Sequence, residues 1–287
     1  MPTTTTSMND TVYAAELERD VQFELRPHRI FRPFLRQGPK GNSLVFSFVT
    51  QDDEGSAGTD ITEGTTDMAS NLTTISTTNA NATAAQTAFA ALVTDLLKEV
   101  SILDVSPHVS GVLARSMGEQ YDVDAQAVLD NATNDTGGAT TNTLARFLTA
   151  RSALEQRDVG SQGERLVCGL HPKQVGDLQA DAASLAAAFL AGDNARVNGI
   201  LVSALDGYVG DPFGVPTFQS TTISSASSAY QGWIMAANSA VGAYEIWVDK
   251  IGLQRDESKI SDEVIVSGAY GFALIDQNRI QGFLSTT

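Results

Sequence analysis

Residues 165–182 read RLVCGLHPKQVGDLQADA, and the spacing of the apolar residues changes in the middle of them. Leu166, Val167, Cys168 and Leu170 make a short continuous apolar run, as expected of a strand buried on both faces. From Pro172 onward the apolar positions recur at threes and fours instead: Val175, Leu178, Ala182, Leu185 and Phe189 line one helical face. His171-Pro172 sits at the start of that helix and Gly192 just past its end. A buried strand feeding directly into an amphipathic helix is the unit around which the neighbouring segments are placed.

Toward the C-terminus comes GYVGDPFGVPTFQS, residues 207–220, whose glycines invite comparison with a phosphate-binding loop. Gly207, Gly210 and Gly214 fit neither GxGxxG nor GxxxxGK, and no Lys occurs between Lys173 and Lys250. The segment reads as a turn between two strands, with Gly214 supplying a positive φ. The remainder, from Tyr230, holds a short helix candidate near Asn238 to Tyr244 and three strand candidates.

Toward the N-terminus, TLARFLTARSALEQ predicts a helix with Leu144, Phe147, Leu148 and Leu154 on one face. A glycine turn, DTGGAT, separates it from a longer helix over 106–132. Ser106 is its expected N-cap, with Pro107 in the first turn. Val109, Val112, Leu113, Met117, Tyr121, Ala125, Val128 and Leu129 recur at helical spacing, leaving Arg115, Glu119, Asp122 and Asp124 for solvent or neighbours. At the rise of an α-helix it is roughly 40 Å long. Earlier still, NSLVFSFV places Leu44, Phe46 and Phe48 on one side of a strand. A polar stretch at 51–71 and a Thr, Ala and Asn-rich sequel follow, the pattern of a long β-hairpin projecting from the body. Residues 1–40 form an arm without a period of its own.

Charge divides the first hundred residues sharply. Arg26, Arg29, Arg32, Arg36 and Lys40 occur without an intervening acid, whereas Gly41 to Leu97 holds seven acids, among them Asp52, Asp53, Glu54, Asp60, Glu63 and Asp67, and no base. Over all 287 residues, 18 Lys and Arg face 34 Asp and Glu, a net charge of −16 that argues against a whole-protein nucleic-acid footprint. Chemistry-bearing motifs are scarce. His28, His108 and His171 are far apart, no HExxH or CxxC occurs, and the acidic run lacks calcium-loop spacing. No cofactor and no metal is expected. Cys168, the single cysteine, and His171 make a lone CxxH that could serve a cysteine hydrolase, although a small buried apolar role suits Cys168 better. The N-terminus has no basic segment followed by an apolar stretch, and no window reaches the length of a membrane span, so synthesis in a cytoplasm and no membrane partner are expected.

In order, these parts resemble the major capsid proteins of tailed phages, the Hong Kong phage capsid fold. RLVCGLHPKQVGDLQADA resembles the strand and helix that open the axial domain in that family. GYVGDPFGVPTFQST resembles its glycine-bearing turn, and VIVSGAYGFALIDQNRIQGFLST its closing strands, with Tyr270-Gly271 in the usual place. The resemblance implies an α+β fold: an N-terminal arm at 1–40, an extended β-hairpin loop and its base at 41–94, and a peripheral domain at 95–164 containing the spine helix 106–132. An axial domain at 165–235 would follow, with a closing helix and strands at 236–287.

The function implied is that of a coat protein. Hexamers and pentamers would form an icosahedral shell around double-stranded DNA, without sequence-specific binding. Scaffolding, portal and possible cement proteins would be separate chains. The product would be located in the virion capsid and made in the host bacterial cytoplasm. The loop has no lysine for an inter-subunit isopeptide bond. In that family the loop lies over a neighbouring subunit, so Arg26, Arg29, Arg32 or Arg36 is expected to pair with the acids of a neighbour's loop or peripheral domain; the other reading has these arginines facing the lumen. An encapsulin-type nanocompartment shell shares the fold and is the nearest alternative function.

Overall fold

The computed structural model describes residues 32–38, 43–50, 76–100, 105–136, 140–157, 159, 164–188, 208–210, 212–223, 225–226 and 229–286. Helices and mixed sheets share one body, an α+β arrangement. Strand β5 (Leu166–Leu170) leads straight into helix α4 (Pro172–Ala188), as the change of period requires. It lies inside a six-stranded sheet ordered β12 (Ile280–Thr286), β9 (Ala229–Ala236), β5, β7 (Thr217–Gln219), β6 (Tyr208–Gly210), with β8 (Ser225–Ala226) pairing with β9. Only β5 and β7 run parallel.

Both faces of this sheet are covered, which explains why its central strands read as unbroken apolar runs. On β5, Val167 faces one core while Cys168 and Leu170 face another; on β9, Trp233 and Met235 face the first, and Ile234 and Ala236 the second. The second core is completed by α4 and by α3 (Leu144–Glu155), through Leu144, Phe147, Ala150, Leu154, Val175 and Leu178. Thr143 caps α3, its side chain accepting the Arg146 N–H. Leu148, expected beside Phe147 on the buried face, is exposed, because it lies about 100° further round the helix.

The first core belongs to the long helix α2 (Val105–Leu129). Helix α2 also covers a four-stranded sheet ordered β1 (Arg36–Gln37), β10 (Val241–Asp256), β11 (Ser261–Leu274), β4 (Ala85–Thr94). Its buried positions form two adjacent rows, Leu113, Met117, Tyr121, Ala125, Leu129 and Ala114, Gly118, Asp122, Gln126. Three expectations are thereby corrected. The helix starts at Val105, so Ser106 lies inside the first turn and not ahead of it. Val112 is exposed, one position out of phase with Leu113, and Asp122 is only 1 % exposed, carried inward by the second row. Gln126 is equally buried and accepts the Trp233 indole N–H at 2.9 Å while donating to Asp130, so the core's largest residue keeps its polar atom satisfied.

Residues 238–244, expected to form a short helix, instead make a tight turn and the start of β10. The Ala240 N–H bonds the Ala236 carbonyl, one helical turn that Val241 does not continue. Asn238 holds a φ of +62°, a conformation that Asn tolerates, and its N–H donates to the Phe34 carbonyl. The region from Tyr230 onward contains four strands, one more than expected, because β10 and β11 are a separate long hairpin. The projecting hairpin consists of β2 (Ser43–Thr50) and β3 (Ser76–Thr83), paired antiparallel from Ser43 opposite Thr83 to Thr50 opposite Ser76. A short helix, α1 (Asp95–Val100), closes the far end of β4.

Candidate assembly surfaces

The arm meets the body where its apolar residues enter the first core. Phe34 and Leu35 are buried there, Phe34 against the Phe218 ring with 4.7 Å between centroids. Beyond them, β1 adds two residues in parallel to β10, opposite Gly242 and Ala243. Just ahead of Phe34, the Arg32 guanidinium grips the Glu245 carboxylate with Nε at 2.9 Å and Nη2 at 2.7 Å. The Tyr121 hydroxyl donates to Glu245 Oε1 at 2.6 Å. Burial, and then the adjacent Glu245 charge, pushes the Tyr121 phenol well above its ordinary pKa, so it remains a donor. A carboxylate only 12 % exposed is thus held by two groups from distant elements, a charge-assisted arrangement stronger than a free surface pair.

Of the arginines expected at a subunit boundary, Arg32 is therefore engaged within its own chain. Arg36 is exposed, its guanidinium carbon 5.9 Å from the Phe46 ring centroid at the root of its own hairpin. Arg26, Arg29, Asp52, Asp53, Glu54, Asp60, Glu63 and Asp67 lie outside the described residues. Glu245 and Tyr121 were missed as partners of the arm: 213 residues separate Arg32 from Glu245, and no local pattern links them.

The hairpin stands on a small third core of Phe46, Ala82, Tyr244, Ala273 and Ile275, with Leu44 and Ala80 packed beside it. Gly242 admits it: a Cβ there would lie 2.5 Å from the Phe46 ring. A two-stranded ribbon has little stability of its own. Between Leu44 and Phe46 it presents Val45 outward, with the side chain exposed.

The alternative chemistry finds no support in the geometry of its two residues. Cys168 is fully buried in the second core, and burial pushes its thiol far above the ordinary range, against the thiolate a nucleophile needs. His171 stacks on Tyr230 with ring centroids 3.7 Å apart, and its Nδ1 accepts the Lys173 N–H at the start of α4. In the glycine segment, Gly207 lies outside the described residues, Gly210 pairs with Thr217, and Gly214 has a φ of +77° after Phe213 at +54°. Among the described residues, no three His, Cys, Asp or Glu side chains gather to hold a metal, and no helix is long and apolar enough to cross a membrane.

No protein-family profile and no curated protein sequence matches this chain. Solved structures do. A protein of Mycobacterium phage Che8 is 17 % identical, with 85 % of each chain covered and a TM-score of 0.62. The capsid of Cyanophage P-SCSP1u is 14 % identical over 90 % of this chain and 88 % of that one, also at 0.62. An encapsulin complex from Synechococcus elongatus is 10 % identical over 89 % and 86 %, at 0.59. With α2 laid along the four-stranded sheet, a second sheet packed between helices and a hairpin standing off the body, the chain has the Hong Kong phage capsid fold, the fold of tailed-phage capsid proteins that encapsulin shells also adopt.

Proposed function

We propose that this chain is the major capsid protein of a tailed double-stranded DNA phage and assembles into the icosahedral head shell. The observation that carries the reading is the contrast between a body with two closed cores and a hairpin standing on five buried residues. Such a ribbon needs a further surface to lie on, and in a closed shell the neighbouring subunit supplies one. The likeness to capsid proteins over 85–90 % of the chain supports the same reading.

In this reading residues 1–40 are the arm, 41–94 the extended loop and its base, 95–164 the peripheral domain, 165–235 the axial domain, and 236–287 the closing segment. Hexamers and pentamers build the wall; scaffold, portal and cement proteins are separate chains. The chain is made in the host bacterial cytoplasm and ends in the virion. A net charge of −16 suits a wall that must let packed DNA move. Arg26, Arg29 or Arg36 pairs with acids of a neighbour's loop or peripheral domain, while Arg32 fixes the root of the arm on Glu245.

Electron microscopy of the purified protein, expressed alone and with the genes adjoining it, tests the reading. Uniform polyhedral shells are expected, and subunits that never close under either condition overturn it. An enzyme packaged inside the shells would move the assignment to an encapsulin.

A further inference from the structure

A sheet edge offers unpaired backbone groups, and the two larger sheets guard three of their four edges. Along β12 the outer side is bridged, Asp135 to Gly282 and Thr140 to Ser285, while the edge strands β1 and β6 are only two and three residues long. Strand β4 is the exception. It ends the four-stranded sheet, and among the described residues no strand pairs with its outer side. Its ten residues, AQTAFAALVT, include no charge and no proline, and they pair with β11 without a bulge from Ala85 opposite Tyr270 to Thr94 opposite Ser261. On one face Thr87, Phe89 and Ala91 are only half-buried, with Phe89 and Ala91 packed against the first core. Such an edge is a template for one more strand.

The chain holds a segment of matching pattern. The arm as a whole follows no period, but its residues 21–26, VQFELR, which lie outside the described residues, alternate strictly: Val21, Phe23 and Leu25 are apolar, Gln22, Glu24 and Arg26 polar. Pro27 follows, which favours extended backbone at Arg26 and ends the run. The point where the arm enters the body sets its reach. Arg32 is held on Glu245, and Glu245, Tyr270 and Ala85 stand side by side across β10, β11 and β4. A strand added to β4 would lie three strand spacings from Glu245, about 14 Å. The step from Arg26 to Arg32 extends to about 20 Å, enough to arrive from the Ala85 end.

We propose that residues 21–26 add to β4 of the same chain as an antiparallel strand, with Val21, Phe23 and Leu25 opposite Ala91, Phe89 and Thr87. The direction follows from the tether: a segment that leaves toward Arg32 at the Ala85 end runs from Ala91 to Thr87, against β4. The register follows from the faces, since side chains directly opposite in paired strands share a face and the apolar ones gather on the half-buried row. Phe23 then covers the Phe89 ring, while Gln22 and Glu24 stay on the exposed face with Ala90 and Ala88. This strand needs no second subunit, so it stands apart from the shell reading.

Hydrogen exchange over 85–94 in the full-length chain tests the pairing, with a Phe23→Asp, Leu25→Asp variant for comparison. The β4 amides that point away from β11 should exchange roughly tenfold or more slower in the wild type than in the variant, while β9 keeps its protection in both and shows the body folded. Equal exchange overturns the proposal. A second measurement does not depend on how that variant folds. Glu24→Cys with Ala88→Cys places two thiols opposite each other in the proposed register, and Cys168 is buried away from them. Mild oxidation should close an intrachain disulfide in this variant and not in Glu24→Cys with Leu92→Cys, four residues out of register. Equal closure of both, or of neither, overturns the register. A disulfide that joins two chains instead overturns the assignment to the same chain and gives the strand to a neighbour's arm.

Discussion

The six-stranded sheet and the β2–β3 hairpin are both mainly antiparallel, yet they are supported in opposite ways. Every side chain of β9 from Trp233 to Ala236 is buried in one of two cores, α2 on one side and α3 with α4 on the other. The hairpin buries Phe46 and Ala82 at its root, while Val45 and Asn81 nearby are exposed. The sheet therefore carries what the subunit needs to fold, and the hairpin carries surface that only another molecule can cover. If that division holds, substitutions in the first region move the stability of the isolated chain, and substitutions in the second move assembly.

The largest effect is expected at Leu113, which is 3 % exposed between α2 and the sheets. Leu113→Ala should cost about 2–5 kcal/mol in denaturant unfolding, whereas Val112→Ala, at an exposed position, should change stability by no more than about 0.5 kcal/mol. Equal losses at both positions would place the buried face wrongly.

Next comes Gly169, in the middle of β5. A Cβ there would meet the Trp233 indole at 2.3 Å, and Trp233 has nowhere to go, being 1 % exposed and bonded to Gln126. Gly169→Ala should destabilise by about 1–3 kcal/mol, as overpacking does. If the indole shifts, the Gln126 bond is lost too, so the change should also appear in the tryptophan near-ultraviolet circular dichroism.

How far the sequence could be read follows the same division. The β5–α4 junction and the spine helix were legible because period alone distinguishes a doubly buried strand from an amphipathic helix. The errors at Val112 and Leu148 are one-residue errors: each stands next to a buried residue, Leu113 and Phe147, and a 100° step per residue turns it out to solvent. Asp122 failed for another reason. A polar residue was assigned to the surface, whereas here α2 is wide enough in contact to bury a second row that includes polar groups. The arm's hold on Glu245 was invisible, since it depends on where the fold brings a residue 213 positions away. The turn at Asn238 looked helical because Ala, Asn and Ser in AANSA permit one helical turn without specifying a second.

The hairpin side of the comparison is tested by Phe46→Ala. Phe46 is 5 % exposed, but the core it belongs to is a satellite of five residues joined to the body through Tyr244, Ala273 and Ile275. The main unfolding transition of the isolated subunit should move by less than about 1 kcal/mol, far below the usual cost of removing a core Phe, about 3–5 kcal/mol. Hydrogen exchange should instead show loss of protection confined to 43–50 and 76–83, and shells should form poorly. A full-sized shift of the main transition would mean that the hairpin root is part of the body's cooperative unit.

The smallest effect belongs to the body alone and reads out as pH. His171 sits at the start of α4 with Nδ1 accepting the Lys173 N–H, its ring stacked on Tyr230, and burial lowers its pKa below the ordinary 6.5. Protonation would replace the acceptor with a donor and place a positive charge at a helix N-terminus, where the backbone dipole disfavours it. Lys173 beside it is already paired with Asp177 at 2.5 Å. Because the folded pKa is depressed for a base, the unfolded chain binds more protons between the folded pKa and about 6.5. The contribution is fully present above 6.5, declines as the pH falls through that window, and levels off below the folded value. A lost cap costs about 0.5–2 kcal/mol, and a half-exposed ring should lie near the lower end. His171→Asn, which can cap without titrating, should flatten this part of the stability profile while leaving the effects of Leu113→Ala and Phe46→Ala unchanged. A profile with the same slope in both proteins would show that the window belongs to another group.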